Sequence, residues 1–421
     1  MSRIRARSLS PAGYWLLGAT LVLVIGGILM VYSASSVADY VHYKDSAYHL
    51  KKQAVFALLG AVALLVASRW DFRSRRSENR LLGPEVVAWV VWGFAFIGLI
   101  IVEFMGVGKW GATRSIDLGF AYVQPSEYAK LGCLLVAAVL VAAWRRRQID
   151  TRQFLARLAA AVVPVVVLIM LQPDMGTTVS LLLGVVFVLW IGGIPGKWMF
   201  SAASVGIPAA VLLILFAGYR MERVTSFLNP WADPTDSGYQ IIQSLYAFGS
   251  GGVAGIGLGL SRQKFFYLPA AHTDFVFAVI GEELGLLGTF AVIIAFGVFA
   301  FAGMRIAFES RDLFGKLLAG GLTSLIVAQA LMNMAAVTGL MPITGIPLPL
   351  VSAGGSSLTL TLASIGLILA VSRHGGQSRV RLVRSGKGRG SQSAGSVERW
   401  RDGGSHIPRV DGSRASGGRR A

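Results

Sequence analysis

Apolar residues run through this chain in long unbroken blocks separated by short polar turns. Ten such blocks lie at about residues 14–33, 53–68, 85–104, 127–144, 156–171, 177–195, 199–218, 275–302, 317–337 and 356–372. Their lengths suit helices crossing the apolar core of a bilayer. A backbone in lipid must satisfy its own hydrogen bonds, which leaves helices or a closed barrel, and the absence of alternation excludes the barrel. The pattern therefore predicts an all-α, polytopic integral membrane protein with about ten transmembrane helices. The first block lacks a small-residue cleavage site after a short apolar core, so it reads as a retained span.

Composition agrees: 54% of the 421 residues are hydrophobic and only 14% charged. The net charge of +18 would suggest a nucleic-acid partner if it were not so unevenly placed. With the N-terminus inside, the inner segments hold 29 of the 39 basic residues, including RSRR at 73–76 and RRR at 145–147. That asymmetry predicts that both termini are cytoplasmic. Three parts follow: a cytoplasmic segment at 1–13, a membrane domain at 14–372, and a tail at 373–421. The tail is rich in Gly, Ser and Arg and carries 12 basic against 3 acidic residues. It is expected to be disordered and to favour the anionic inner leaflet or an acidic protein, with no nucleic acid. Cys133, the only cysteine, lies in an apolar block and reads as packing.

Between spans 7 and 8 the chain predicts one large external loop, about 219–274. Within it, residues 238–260 are long enough to be considered a span. Gln240, Gln243 and Ser244, and six glycines between 249 and 259, favour an interfacial amphipathic helix followed by a Gly-rich loop, with Ile241, Leu245 and Phe248 on its apolar face.

Four polar clusters fall on the outer face. In the first, 108–130, Ser126 is a plausible N-cap; Glu127 and Lys130 lie one turn apart, either as an internal ion pair or with Lys130 facing an anionic ligand. In the second, 172–178, Asp174 either caps the next helix or serves a site. In the third, 220–240, Arg220 and Arg223 either anchor a span end or contact phosphate. The fourth, 339–357, carries Pro342, Pro347, Pro349 and several glycines yet stays apolar, which suits a partly re-entrant wall of a site.

Five stretches resemble signatures of the SEDS family: QPSEYAKL (124–131), QPDMGTT (172–178), SGYQIIQSLYAFGSGGVAGIGLG (237–259), PAAHTDFVFAVIGEELGLLG (269–288) and ITGIPLPLVSAGGSS (343–357). The resemblance covers about residues 14–372, and NPWADP (229–234) favours the family's cell-division branch over its elongation branch. It implies a peptidoglycan glycosyltransferase of the bacterial cytoplasmic membrane that polymerises lipid II on the outer face. Its implied partners are a class B penicillin-binding protein transpeptidase and other division proteins. The family's essential acid falls on Asp274, and its polar cavity residues fall on Glu127, Lys130, Asp174 and Gln243. One departure is Ser115 after Arg114, where the family usually has Trp; Trp110 lies five residues earlier.

The chemistry such a reaction needs can be matched to residues. A lipid diphosphate is already a good leaving group, so one base suffices, and Asp274 at the mouth of a helix is the choice. Charge developing on the diphosphate calls for cations, with Arg220, Arg223, Lys264 and Lys130 as candidates. No cofactor is assigned; a divalent cation could share that task, but no cluster has clear ligand spacing. His272 either assists the base or hydrogen-bonds its loop. Glu282 and Glu283, about two turns further along, read as structural or partner-helix residues without an evident partner. A lipid II flippase and a non-catalytic division scaffold are the alternatives.

Overall fold

Ten apolar blocks imply helices whose ends are set by the polar turns between them, and each block corresponds to a separate helix, with ends that differ by several residues. The computed structural model describes residues 9–72, 83–109, 112–117, 119, 122–215 and 218–375. The first seven helices are α1 (Pro11–Tyr43), α2 (Tyr48–Ala67), α3 (Pro84–Met105), α4 (Pro125–Arg145), α5 (Thr151–Leu171), α6 (Met175–Ile191) and α7 (Gly196–Leu215). Then come two shorter helices, α8 (Gly218–Leu228) and α9 (Tyr239–Gly251), followed by α10 (Val276–Glu309), α11 (Leu313–Val337) and α12 (Gly355–Gly375). Among the described residues, eight helices are long and apolar enough to cross a membrane; α6 is a shorter apolar helix of 17 residues.

Short polar side chains start several of these helices. Ser10, Asp150, Asp174 and Asp312 each accept a hydrogen bond from a backbone N–H in the first turn of α1, α5, α6 and α11. Each such cap contributes about 1 kcal/mol. Ser126 is not one of them. α4 begins two residues earlier than a Ser126 cap would start it, after Gln124 with Pro125 at its first position, and Ser126 is buried in the first turn with its hydroxyl unpaired. Proline's preset φ starts the helix where no side-chain cap is present.

α4 and α11 form the centre, with most of their apolar length buried, whereas α2, α3 and α5 lie at the periphery. α4 packs on α3, α5, α6 and α11; α11 packs on α6, α10 and α12. Small residues let the helices close: a Cβ on Gly132 would stand 2.8 Å from the Trp92 backbone. In an apolar solvent such close approach supplies much of the attraction between helices.

The two ends of the bundle differ. One carries basic anchors, with Arg146 paired to Asp312 at 3.1 Å and Arg373 donating to the Ser68 carbonyl at 3.2 Å. The other carries the irregular structure. Between α3 and α4 lies an antiparallel three-stranded sheet, β1 (Val107–Lys109), β2 (Ala112–Asp117) and β3 (Tyr122–Val123), which the apolar pattern did not foretell. The stretch 219–274 is largely folded, and α9 packs on α10 and α11. The inward face of α9 is Ile241, Ile242, Ser244 and Ala247, while Leu245 turns outward.

The block at 275–302 is not one regular helix. Gly285 takes φ +64, so α10 breaks there, and the Gly-rich loop before it closes the gap. The N–H groups of Ile256 and Gly257 donate to the carbonyls of Glu282 and Glu283, each at 3.0 Å. A Cβ on Gly285 would also strike the Val253 carbonyl and the Gly255 nitrogen, so both conformation and space demand glycine.

Candidate active site

Asp274 ends a tight turn rather than opening a helix. Thr273 and Phe275 both donate to the Ala270 carbonyl, and α10 follows at Val276. Asn333 of α11 holds this turn by donating from Nδ2 to the carbonyls of Asp274 (2.7 Å) and Ile346 (2.8 Å). The Asp274 side chain is half-buried in a small recess formed with Phe275, Ile343, Thr344 and Gly345. Burial pushes its carboxyl up from 3.8 to about 6; Arg114 and Arg223 oppose the rise and Asp174 adds to it.

Gly345 also borders a larger cavity of about 390 Å³. A Cβ there would stand 3.7 Å from Asp274 Oδ2 and 4.0 Å from Arg114 Nη1, so Gly345 adjoins both acid and guanidinium. Among the described residues, the cavity is lined by the cations Arg114 and Lys52 and by the imidazoles of His49 and His272. The start of α12, at Gly355 and Ser356, opens onto it as well. Helix N-termini present unpaired N–H groups and suit anions. Gly355 has no room for a side chain, because a Cβ would stand 2.5 Å from the Phe56 ring. Of the apolar, non-helical wall anticipated at 339–357, residues 339–354 are non-helical and 355–357 already belong to α12; Ile346, Leu348, Leu350 and Val351 are buried, and Gln53 of α2 bonds both Ser352 and Gly354.

Of the residues singled out from sequence, His272 lines this cavity and Asp274 lies in the adjoining recess. The others are spread around them. Glu127 and Lys130 form a buried ion pair at 2.7 Å. Asp174 caps α6 through Thr177, and it also accepts from Gln124 at 3.3 Å. Arg223 donates to the Ile343 carbonyl at 3.1 Å, beside the acid's recess. Lys264 is bonded to the Gly259 carbonyl in the Gly-rich loop. Gln243 is half-buried on α9, outside the cavity lining. The Arg220 side chain and all of Trp110 lie outside the described residues, as does the tail at 376–421. Ser115 lines the cavity beside Arg114.

The partners missing for Glu282 and Glu283 are now evident. Glu283 accepts from the Ser33 hydroxyl at 2.7 Å and the Ser261 N–H at 3.2 Å; Glu282 accepts from the Ser261 hydroxyl and the Arg262 N–H. Both carboxylates pin the Gly-rich loop to α10.

Sequence reading passed over Asp39, His49, Lys52 and Gln53, and left Arg114 without a role. Arg114 donates to the carbonyls of Gln172 (3.2 Å) and Pro173 (2.5 Å), so it ties the sheet to the turn before α6. Asp39 is buried and bonded to His49, whose ring centroid is 4.7 Å from that of His272. Burial and His49 push His272 down to about 4, with Asp39 opposing, so it stays neutral near pH 7. The one signal available was the polar density of ADYVHYKDSAYHLKKQ at 38–53, which looks like an ordinary turn between spans.

A chain built this way has known relatives. It is 40% identical over 356 residues to stage V sporulation protein E of Bacillus subtilis (strain 168), covering 84% of this chain and 95% of that protein. It is 41% identical over 355 residues to the probable peptidoglycan glycosyltransferase FtsW of Trichlorobacter lovleyi, covering 82% and 89%. The fold matches a chain solved in work on the structural coordination of polymerization and crosslinking by a peptidoglycan synthase complex, with TM-score 0.69, 30% identity and coverage of 86% and 98%. A family model described as cell cycle protein, that of FtsW, RodA and SpoVE, matches residues 14–377, and the chain belongs to that family.

Proposed function

We propose that this chain is a peptidoglycan glycosyltransferase of the FtsW kind, which joins lipid II into β-1,4 glycan strands on the outer face of the bacterial cytoplasmic membrane during septal synthesis. The observation that carries the mechanism is the Asp274 carboxylate. It is half-buried, its main-chain carbonyl is held by Asn333, it is raised to about 6, and its recess shares Gly345 with a cavity lined among the described residues by the cations Arg114 and Lys52. A carboxylate with that value is mostly ionised near pH 7 yet basic enough to accept a proton.

In the proposed step Asp274 takes the proton of the acceptor sugar hydroxyl as its oxygen attacks the donor's anomeric carbon. The α-linked diphosphate leaves, and a single inversion gives the β bond. Arg114 and Lys52, on the cavity wall, are placed to meet the charge that develops on the leaving group. A class B penicillin-binding protein transpeptidase and other division proteins are its proposed partners; the match to a peptidoglycan synthase complex supports the first.

A flippase for the same lipid is the second reading, and the break in α10 favours it, since interrupted helices are common in transporters. The carbonyls opened by that break are met by Ile256 and Gly257, which argues for the enzyme. Polymerisation of labelled lipid II by the purified protein with its transpeptidase partner separates the two. Glycan from the wild type and none from Asp274→Asn is the expected result. Equal output from both would sink the base assignment, and translocation in vesicles without any glycan would establish the flippase.

A further inference from the structure

The junction of α1 and α2 holds a carboxylate that the proposed step leaves unused. Asp39, in the last two turns of α1, is 1% exposed. Ser35 Oγ donates to its Oδ2 at 2.9 Å, the His49 backbone N–H donates to the same oxygen at 3.0 Å, and His49 Nδ1 makes a short contact with Oδ1. A carboxylate this far from water is costly unless such partners meet it.

The arrangement fixes an imidazole. With Nδ1 held on Asp39, the ring cannot flip without losing that bond, and Nε2 lies on the opposite edge. Tyr48 packs edge-on against the ring at 5.3 Å and His272 stands on another side at 4.7 Å. His49 is 25% exposed at its side chain and lines the cavity, so Nε2 is the polar atom it has left for a ligand. A staple between α1 and α2 would require only the Ser35 and backbone bonds. It would not require an oriented ring on the wall of a cavity lined by Lys52 and Arg114.

We infer that Asp39 and His49 form a positioning and binding pair for a lipid-linked diphosphate: Asp39 holds the ring of His49 so that Nε2–H donates to a phosphate oxygen in the cavity. This inference rests on the glycosyltransferase reading for the identity of the ligand. In the occupied site one edge of the ring faces Asp39 and the other faces the phosphate. Lys52, Arg114 and the first turn of α12 complete the cradle. This cradle replaces Lys130 and Lys264, which are bonded elsewhere, as the partners of the leaving group.

The full chain in detergent, titrated with geranylgeranyl diphosphate and with geranylgeraniol, tests the pair without any turnover. His49→Phe is expected to weaken diphosphate binding about tenfold or more, the usual worth of a charge-assisted hydrogen bond, and to leave the alcohol unaffected. Asp39→Asn is expected to weaken it less, and His49→Lys to recover most of it. In polymerisation, His49→Phe should raise KM for lipid II more than it lowers kcat. Unchanged diphosphate affinity in a folded His49→Phe protein overturns the inference, as does equal loss for diphosphate and alcohol. If Asp39→Asn does not fold, His49→Phe and His49→Lys carry the test. A wild type that binds the diphosphate through His49 but makes no glycan overturns the glycosyltransferase reading alone.

Discussion

The side-chain amide of Asn333 donates a 2.7 Å hydrogen bond to the main-chain carbonyl of Asp274. The same nitrogen reaches the Ile346 carbonyl, so one buried residue of α11 sets the distance between the acid and the loop that faces it. Asn333→Ala leaves two carbonyls without this donor, at about 1–3 kcal/mol each where they are buried. The expected outcome is a Tm lower by several degrees and a fall in kcat larger than the change in KM, read from thermal unfolding and lipid II kinetics on the same preparation.

Asp274→Asn should separate activity from stability. Loss of a general base costs about 10²–10⁴ in rate. The wild-type carboxyl is raised from 3.8 to about 6, so its ionised form opposes folding by on the order of 3 kcal/mol. That penalty is full above about pH 6 and gone below about 3.8. The variant is therefore expected to melt higher than wild type at pH 7.5, with the difference shrinking toward pH 4; a lower Tm at pH 7.5 would contradict this.

The pH profile of the reaction follows from the same group. A base must be ionised to act, so kcat/KM for glycan formation should fall about tenfold per pH unit below about 6. His272, pushed down to about 4, stays neutral through this range and should add no second step. A profile flat down to pH 5 would remove Asp274 from the proton transfer.

Glu127 and Lys130 are a buried pair, and breaking one side of such a pair typically costs about 3–5 kcal/mol. Lys130→Met alone strands the Glu127 carboxylate. The double variant Glu127→Gln with Lys130→Met removes both charges and is expected to melt higher than Lys130→Met. Additive losses in the cycle would show that the two residues are not coupled.

The bundle was legible in the sequence because a bilayer helix is specified by its own residues, and the ten apolar blocks needed no knowledge of their neighbours. Asp274 was legible for a related reason, since a charge at the lip of a span is conspicuous. The rest depends on contacts between distant segments. Lys264 reads as a free cation until its bond to Gly259 is seen, and Glu282 and Glu283 read as unpartnered until Ser33 and the loop at 256–262 fold onto them. Asp39 and His49 are ten residues apart on either side of an unremarkable turn, and only the meeting of α1, α2 and the turn before α10 brings His49, held by Asp39, to the wall of a cavity. Ser126 shows the reverse error, a good capping residue displaced because the proline before it starts the helix.

The break at Gly285 has a consequence for the order in which the molecule assembles. The segment from Val276 to Leu284 is bonded behind to residues some 26 positions upstream, and the turn that leads into it is bonded in front to Asn333, 59 positions downstream of Asp274. Local helix formation alone therefore cannot complete it. It should open and close as one cooperative unit with the Gly-rich loop. Hydrogen exchange would then show the amides of Ile256, Gly257 and Val279 protected to the same degree, with the acid acquiring its place only after that loop has closed.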